Sequence, residues 1–199
     1  MEDVEKLYKE DKLLVRAMDY PSVIGGKDNG RFECQPWVDE FYSLIHDGLD
    51  SLSTTLIIPG VGVRNHKNVG YLINSSLTDC TNISDLAEYI KENDATEANE
   101  VDINVKLDGV VGLYINKCEH VNWLLKKIFV IKKMLKVLTG IDYPIFLYNF
   151  IKGELERIDL SKDQEAEIID SLEANQIYYW PEESKEPMYI SIESSSIHK

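Results

Sequence analysis

At 199 residues, 44% of them hydrophobic, the chain can bury one sizeable core, and 35 acids against 21 bases leave it at −14. No apolar run reaches the roughly 18–20 uncharged residues of a membrane span, and the charged opening MEDVEKLYKEDK has no apolar stretch of the secretory kind, so a cytoplasmic protein away from the membrane is expected. Three scattered cysteines, Cys34, Cys80 and Cys118, form no C-x-x-C pair and fit reduced thiols, while the acidity disfavours nucleic-acid phosphate and favours a basic partner.

Residues 2–19 place Val4, Leu7, Leu14, Val15 and Met18 at helical spacing, which predicts one amphipathic helix, packed as a lid, ending before Pro21. Ser22 to Ile24 and Arg31 to Cys34 flank GGKDNG, the pattern of a short hairpin or an exposed loop. Pro36 then opens a helix carrying Trp37, Phe41, Leu44, Ile45, Leu49 and Leu52, since proline in the first turn sacrifices no needed donor. STTLIIPGVGV (53–63) and NVGYLINSSL (68–77) are β-branched and apolar, and are expected as neighbouring strands. Gly60 and Gly62 follow the first of these, but Asn65 stands where a phosphate-binding G-x-G-x-x-G needs its third glycine, so a turning strand is the expectation.

A short helix over DLAEYIKEN is expected to turn Leu86, Tyr89 and Ile90 inward. EVDINVKLDGVVGLYINK alternates, and Asp108-Gly109 predicts a two-residue turn between two paired antiparallel strands. That hairpin leads into the longest apolar helical pattern, 119–139, where Val121, Leu124, Leu125, Ile128, Ile131, Leu135 and Leu138 form one stripe and Trp123, Val130, Met134 and Val137 a second. Lys126, Lys132, Lys133 and Lys136 occupy the remaining sector with Phe129 among them, so Phe129 is expected to be partly exposed there. Gly140 fits a left-handed residue after the last turn.

Beyond it, Pro144 is expected to start a helix over IFLYNFIKGELERI, and Ser161 with Gln164 to cap another over KDQEAEIIDSLEAN that Asn175 closes. QIYYW and PMYISIE then read as two strands around PEESKE. Helix, helix and hairpin resemble the end of a winged-helix domain over the last 50 or so residues, a resemblance of topology without a specific motif. It implies a recognition helix and a wing. That helix would carry Asp163, Glu165, Glu167, Asp170 and Glu173 against Lys162, and the wing tip Glu182, Glu183 and Glu186 against Lys185, which disfavours reading DNA. The fold class expected is thus α+β: an antiparallel sheet of hairpins packed on the long central helix as a core domain over 1–140, with a winged-helix-like unit over 141–199 packed on it.

Charge is unevenly spread. Residues 79–108 hold nine acids against two bases, 109–152 two acids against seven bases, and 153–193 twelve acids against three bases. A non-catalytic, acidic, protein-binding role follows as the expected function, as an inhibitor or immunity-type partner of a basic target or an accessory subunit. Phe129 and Lys133 on the central helix and Glu165, Asp170, Glu173 and Glu183 beyond it are the candidate contacts. Chemistry is thinly supported: His46, His66, His120 and His198 have no metal-ligand spacing, no cofactor motif occurs, and no G-x-S-x-G elbow is present. The one cluster of catalytic type is Cys118-Glu119-His120, where a helix start could lower the thiol pKa and the imidazole could act as base. A thiol-dependent enzyme is therefore one alternative, and a winged-helix nucleic-acid-associated regulator the other.

Overall fold

The computed structural model describes residues 3–25, 29–64, 67–93, 95, 99–181, 186–192 and 197–198. Its larger sheet has seven strands in the order β6 (Glu100–Val105), β4 (Leu49–Ile57), β1 (Leu13–Met18), β5 (Val69–Asn74), β7 (Val110–Asn116), β8 (Ile145–Asn149) and β9 (Glu154–Ile158). The smaller has five: β12 (Ile197–His198), β11 (Met188–Ser191), β10 (Gln176–Tyr179), β3 (Arg31–Glu33) and β2 (Ser22–Ile24). Among the described residues every pairing is antiparallel except β7 with β8 and β10 with β3. The molecule is α+β, with helices α1 (Val4–Lys9), α2 (Gln35–His46), α3 (Ile83–Asn93), α4 (Val121–Thr139) and α5 (Lys162–Asp170).

The long helix is central for a reason of topology. Parallel strands cannot be joined by a tight turn, and α4 is the crossover between β7 and β8. It packs on β7 and on α2, while α2 also touches β4 and β10, so both helices lie between the two sheets. The principal core forms there, from Leu14, Tyr71 and Leu113 of the large sheet, Trp37 and Phe41 of α2, Ile128 and Leu135 of α4, and Phe32, Ile177 and Ile190 of the small sheet. A second cluster covers the opposite face of the large sheet, where Val4, Leu7 and Tyr8 of α1 meet Leu13, Val15, Leu72 and Tyr148.

Local signals hold where a few residues suffice to satisfy them. Pro36 sits in the first turn of α2, Ser161 and Gln164 form a complete capping box on α5, Gly140 closes α4 at φ 74°, and β2–β3 and β10–β11 are antiparallel pairs.

Several expectations change. The predicted 2–19 helix is short α1 followed by β1, and Asp11 at φ 57° turns the chain between them. Leu13, Leu14 and Val15 are buried on both faces of a central strand, which a helical stripe imitates over so short a run. β1 also separates the two strands expected to be neighbours, β4 and β5. The 101–116 hairpin does not form: β6 is an edge strand beside β4, β7 lies between β5 and β8, and a 3-10 turn over Leu107–Gly109 joins them. Gly109 serves packing instead, because a Cβ there would stand 2.6 Å from a Val105 methyl.

The predicted helix over 145–158 is the β8–β9 hairpin, with Gly153 turning at φ 59°. Alternate side chains of IFLYN reach opposite faces of the large sheet, Ile145 into one cluster and Phe146 and Tyr148 into the other. No helix precedes α5 in the way a winged helix requires, and α5 ends at Asp170 with Ser171 as its cap, short of Asn175. On α3, Ala87 and Ile90 are buried whereas Tyr89 is 53% exposed.

Candidate functional site

The lysine face of α4 is roofed by acidic chain. Lys127 donates to a Glu173 carboxylate oxygen at 2.6 Å with its own side chain only 5% exposed. Lys133 pairs with Glu165 at 3.5 Å, and Lys126 reaches the Ser171 carbonyl at 3.5 Å. Lys132 donates to the Tyr143 carbonyl at 3.0 Å and pairs with Asp142 at 3.0 Å, and Lys136 pairs with Asp142 at 3.7 Å. Phe129, expected to be partly exposed among these lysines, is completely buried, with the Lys133 ammonium 4.9 Å from its ring centroid. The physical reason is that these lysines find partners in the protein, Lys127 and Lys133 in Glu173 and Glu165 beyond the helix and Lys132 and Lys136 in Asp142 just after it, so the sector is not simply left to water. Two of the candidate contacts, Glu165 and Glu173, are thus counter-charges of α4 lysines while staying partly open to solvent; Asp170 is exposed at the end of α5, and Glu183 lies outside the described residues.

Cys118 and His120 are not brought together. Cys118 packs half-buried against the principal core, His120 caps α4 with its backbone while its exposed side chain makes no cap bond, and among the described residues no hydrogen bond joins the two. Cys34 is buried, and burial foremost pushes its thiol pKa up, the opposite of activation. The two glycines of PGVGVRNHK serve the backbone: a Cβ on Gly62 would meet the Ile151 carbonyl oxygen at 2.5 Å, and Gly60, with open space around it, turns the chain at φ 75°. The aromatics of QIYYW go separate ways, Tyr178 meeting Tyr189 in a tilted contact at 5.5 Å with Arg31 at 4.4 Å over its ring, Tyr179 buried, and Trp180 exposed.

A cleft of about 580 Å³ opens where β1 and β4 part. Their pairing stops at Val15 and Thr55: β1 goes on alongside β5 to Met18 and Val69, while Thr55, Thr54 and Ser53 of β4 run on beside Glu100, Val101 and Asp102 of β6. Arg16 fills the base of the gap. Its Nε and Nη2 donate to the two Glu40 carboxylate oxygens at 3.1 and 3.0 Å, and Nη1 donates to the Ser53 carbonyl at 3.3 Å. The Tyr71 hydroxyl, opposite Arg16 on β5, donates to Glu40 at 2.7 Å. A bidentate pair of this kind is strong and rigid. The hydrogen bond to Glu40 foremost raises the Arg16 pKa, and burial foremost, with the Glu40 charge behind it, drives the Tyr71 hydroxyl well above its usual range.

Around that base stand Asp19, Arg64, Lys67, Asn99 and Glu100. Lys67 donates to Asp19 at 3.0 Å and Ser53 donates to Glu100 at 2.7 Å. Asn99 is only 4% exposed, and its Nδ2 donor, out of reach of solvent, has no partner among the described residues. Sequence reading missed this cleft. Its one local signal was Arg16, a charge inside the apolar run LLVRAM, and its partner Glu40 is 24 residues away.

A shallower groove of about 280 Å³ is lined by Asp47, Asp50, Asp79 and Asp108, with Lys106 and Leu77 beside them. It adjoins β6, whose pairing leaves it at the sheet edge. Among the described residues no three His, Cys, Asp or Glu side chains are arranged to hold a metal ion, and no helix is long and apolar enough to cross a membrane. Compared with known proteins, the chain matches no family model and no curated protein sequence.

Proposed function

We propose that the chain is a non-catalytic cytoplasmic protein that binds a basic protein partner through its acidic 79–108 side. In the other acidic block Glu165 and Glu173 are held by α4 lysines, and acids such as Asp163, Glu167 and Asp170 are left without an ion pair among the described residues. The observation that carries this reading is that Asp85, Glu88, Glu92, Asp102 and Asp108 are exposed and make no ion pair among the described residues. Their field is open to a partner, and such charges set association rate and specificity. Apolar anchors accompany them. Tyr89 stands exposed on α3 between Asp85 and Glu92, which share its helical face at four- and three-residue steps, and Leu77 is exposed beside the acidic groove. Free thiols at Cys34, Cys80 and Cys118 are consistent with a reducing compartment. No hydrogen bond between Cys118 and His120 supports the thiol-enzyme alternative among the described residues.

The test is affinity capture from the native cytosol with three baits: the wild type, a variant carrying Asp85→Asn, Glu88→Gln, Glu92→Gln and Asp108→Asn, and one carrying Asp163→Asn, Glu167→Gln and Asp170→Asn. The first variant should lose basic partners that wild type releases at high salt, and the second should keep them. Loss confined to the second variant would return recognition to the C-terminal block and overturn this reading.

A further inference from the structure

We propose that the outer edge of β6 binds an extended, basic segment of a partner protein, which adds to the large sheet as one more strand. β6 is the last strand of that sheet and pairs, among the described residues, with β4 alone. Hydrogen bonding fixes which of its backbone groups face outward. The Leu56 N–H donates to the Asn99 carbonyl at 2.8 Å, and with Thr55 opposite Glu100 this makes 56 and 99 a hydrogen-bonded pair. Such pairs alternate along an antiparallel ladder, so Val101 and Ile103 turn their N–H and C=O groups toward β4, opposite Thr54 and Leu52. Glu100 and Asp102 turn theirs away from the sheet. The next outward donor, the Asn104 N–H, is met at 2.7 Å by an Asp79 carboxylate oxygen, which agrees with that direction and closes the edge beyond Asp102.

Side chains select the occupant. Successive residues of a strand face opposite sides, so Val101, Ile103 and Val105 join the principal core while Glu100, Asp102 and Asn104 are exposed on the other face. A bare edge is a template for any strand, and its acids narrow the choice. A second copy pairing antiparallel through the same edge would set these carboxylates against their own counterparts, and like charges directly opposite are destabilising. Among the described residues neither carboxylate makes an ion pair, and Glu100 accepts a hydrogen bond from the neutral Ser53 hydroxyl at 2.7 Å. A lysine or arginine opposite each acid supplies the missing charge, so the segment that fits carries bases at alternate positions, with apolar residues between them on the side of Val101 and Ile103. The other edge of the sheet, β9, lacks this selectivity: it carries Arg157 as well as Glu154 and Glu156, and Glu156 lies 4.0 Å from Lys117. The proposal rests on the protein-binding reading above and gives it a mode, in which main-chain hydrogen bonds supply affinity and alternate side chains specificity.

The probe is the synthetic peptide acetyl-Thr-Lys-Val-Lys-Val-Lys-Thr-amide, added to the full chain at up to about 1 mM while amide hydrogen exchange is read by NMR. Binding should slow exchange at the Glu100 and Asp102 amides, which face outward, more than at Val101 and Ile103, which already bond to β4. N-methylation of the lysine amides keeps the peptide's charge but removes the donors that face β6, and should weaken binding at least about tenfold. N-methylation of the valine amides, which face away, should be tolerated, and the peptide with glutamate in place of lysine should not bind. Asp102→Pro removes the outward donor, a change that an edge strand accepts, and should weaken binding more than Asp102→Asn, which keeps it. The methylated peptides test the same geometry on the wild-type chain. No slowing at Glu100 and Asp102, or equal binding of the lysine-methylated peptide, overturns the proposal. Asp102→Pro leaves Asp85, Glu88, Glu92 and Asp108 in place, so a bait carrying it that captures basic partners as wild type does would sink strand addition alone. Capture undiminished by the four neutralising substitutions would instead sink the protein-binding reading.

Discussion

The two acidic blocks of this chain look alike in sequence and differ in the structure in that two acids of the C-terminal one are paired with lysines of the central helix. In the second block Glu165 of α5 and Glu173 just beyond it answer lysines of α4: Lys133 is paired at 3.5 Å by Glu165 and Lys127 is held at 2.6 Å by Glu173. Residues 79–108 form α3 and the edge strand β6, and the described acids there mostly face water, with Lys91 turned away to pair with Asp11. The lesson is that the sign of a segment says little about its role until its opposite number is known. A buried lysine requires its acid, while an exposed acid is available for steering.

The comparison breaks first at Phe129. If the C-terminal block is a structural roof, Phe129→Ala should cost about 3–5 kcal/mol, close to what Ile128→Ala costs, through lost burial and a residual cavity. Urea unfolding measures both, and a Phe129→Ala loss under about 1 kcal/mol would mean that the lysine face is open after all.

Removing one roof carboxylate gives a smaller effect. Glu173→Gln leaves the Lys127 ammonium buried without its counter-charge and should cost about 1–3 kcal/mol, whereas Asp85→Asn on the exposed block should stay within about 0.5 kcal/mol. Equal effects from the two would erase the distinction drawn between the blocks.

The smallest effect sharpens the comparison through pH. Burial works to raise the Asp142 pKa, but the hydrogen bond from Lys132 and the charges of Lys132, Lys136 and Lys133 outweigh it and hold the carboxyl below its ordinary 3.8. A carboxyl with a depressed folded-state pKa adds stability above the unfolded value, and loses it as pH falls through the folded one. Acidification below 3.8 should therefore destabilise wild type more than Asp142→Asn. The difference is expected to be under about 1 kcal/mol because the pair is half exposed. Parallel acid profiles for the two proteins would show that Asp142, which lies outside both acidic blocks, contributes nothing through the α4 lysines it pairs with.

Legibility followed the range of the interaction. Pro36, the Ser161–Gln164 box and Gly140 were readable because each solves a problem of orphan backbone groups within three or four residues. The LLVRAM strand was misread, since five or six apolar positions satisfy either period, and Asp108-Gly109 suggested a hairpin that the sheet order forbids. Phe129 was misplaced because the lysine over its ring, Lys133, is not turned out to water but pairs with Glu165 of α5, more than thirty residues on.

The residues alone were enough for the α+β class, the long α4 and most caps and short hairpins, because these rest on backbone hydrogen bonding and side-chain period within a few turns of chain. Strand order, the burial of the lysine face and the cleft at Arg16 came only with the tertiary structure. Each depends on which distant segment arrives opposite, as Glu40 does for Arg16 across 24 residues and Glu173 for Lys127 across 46. Loop closure costs only slightly more as the loop lengthens, so pattern and propensity leave those pairings open, and packing of the two sheets around α2 and α4 selects among them.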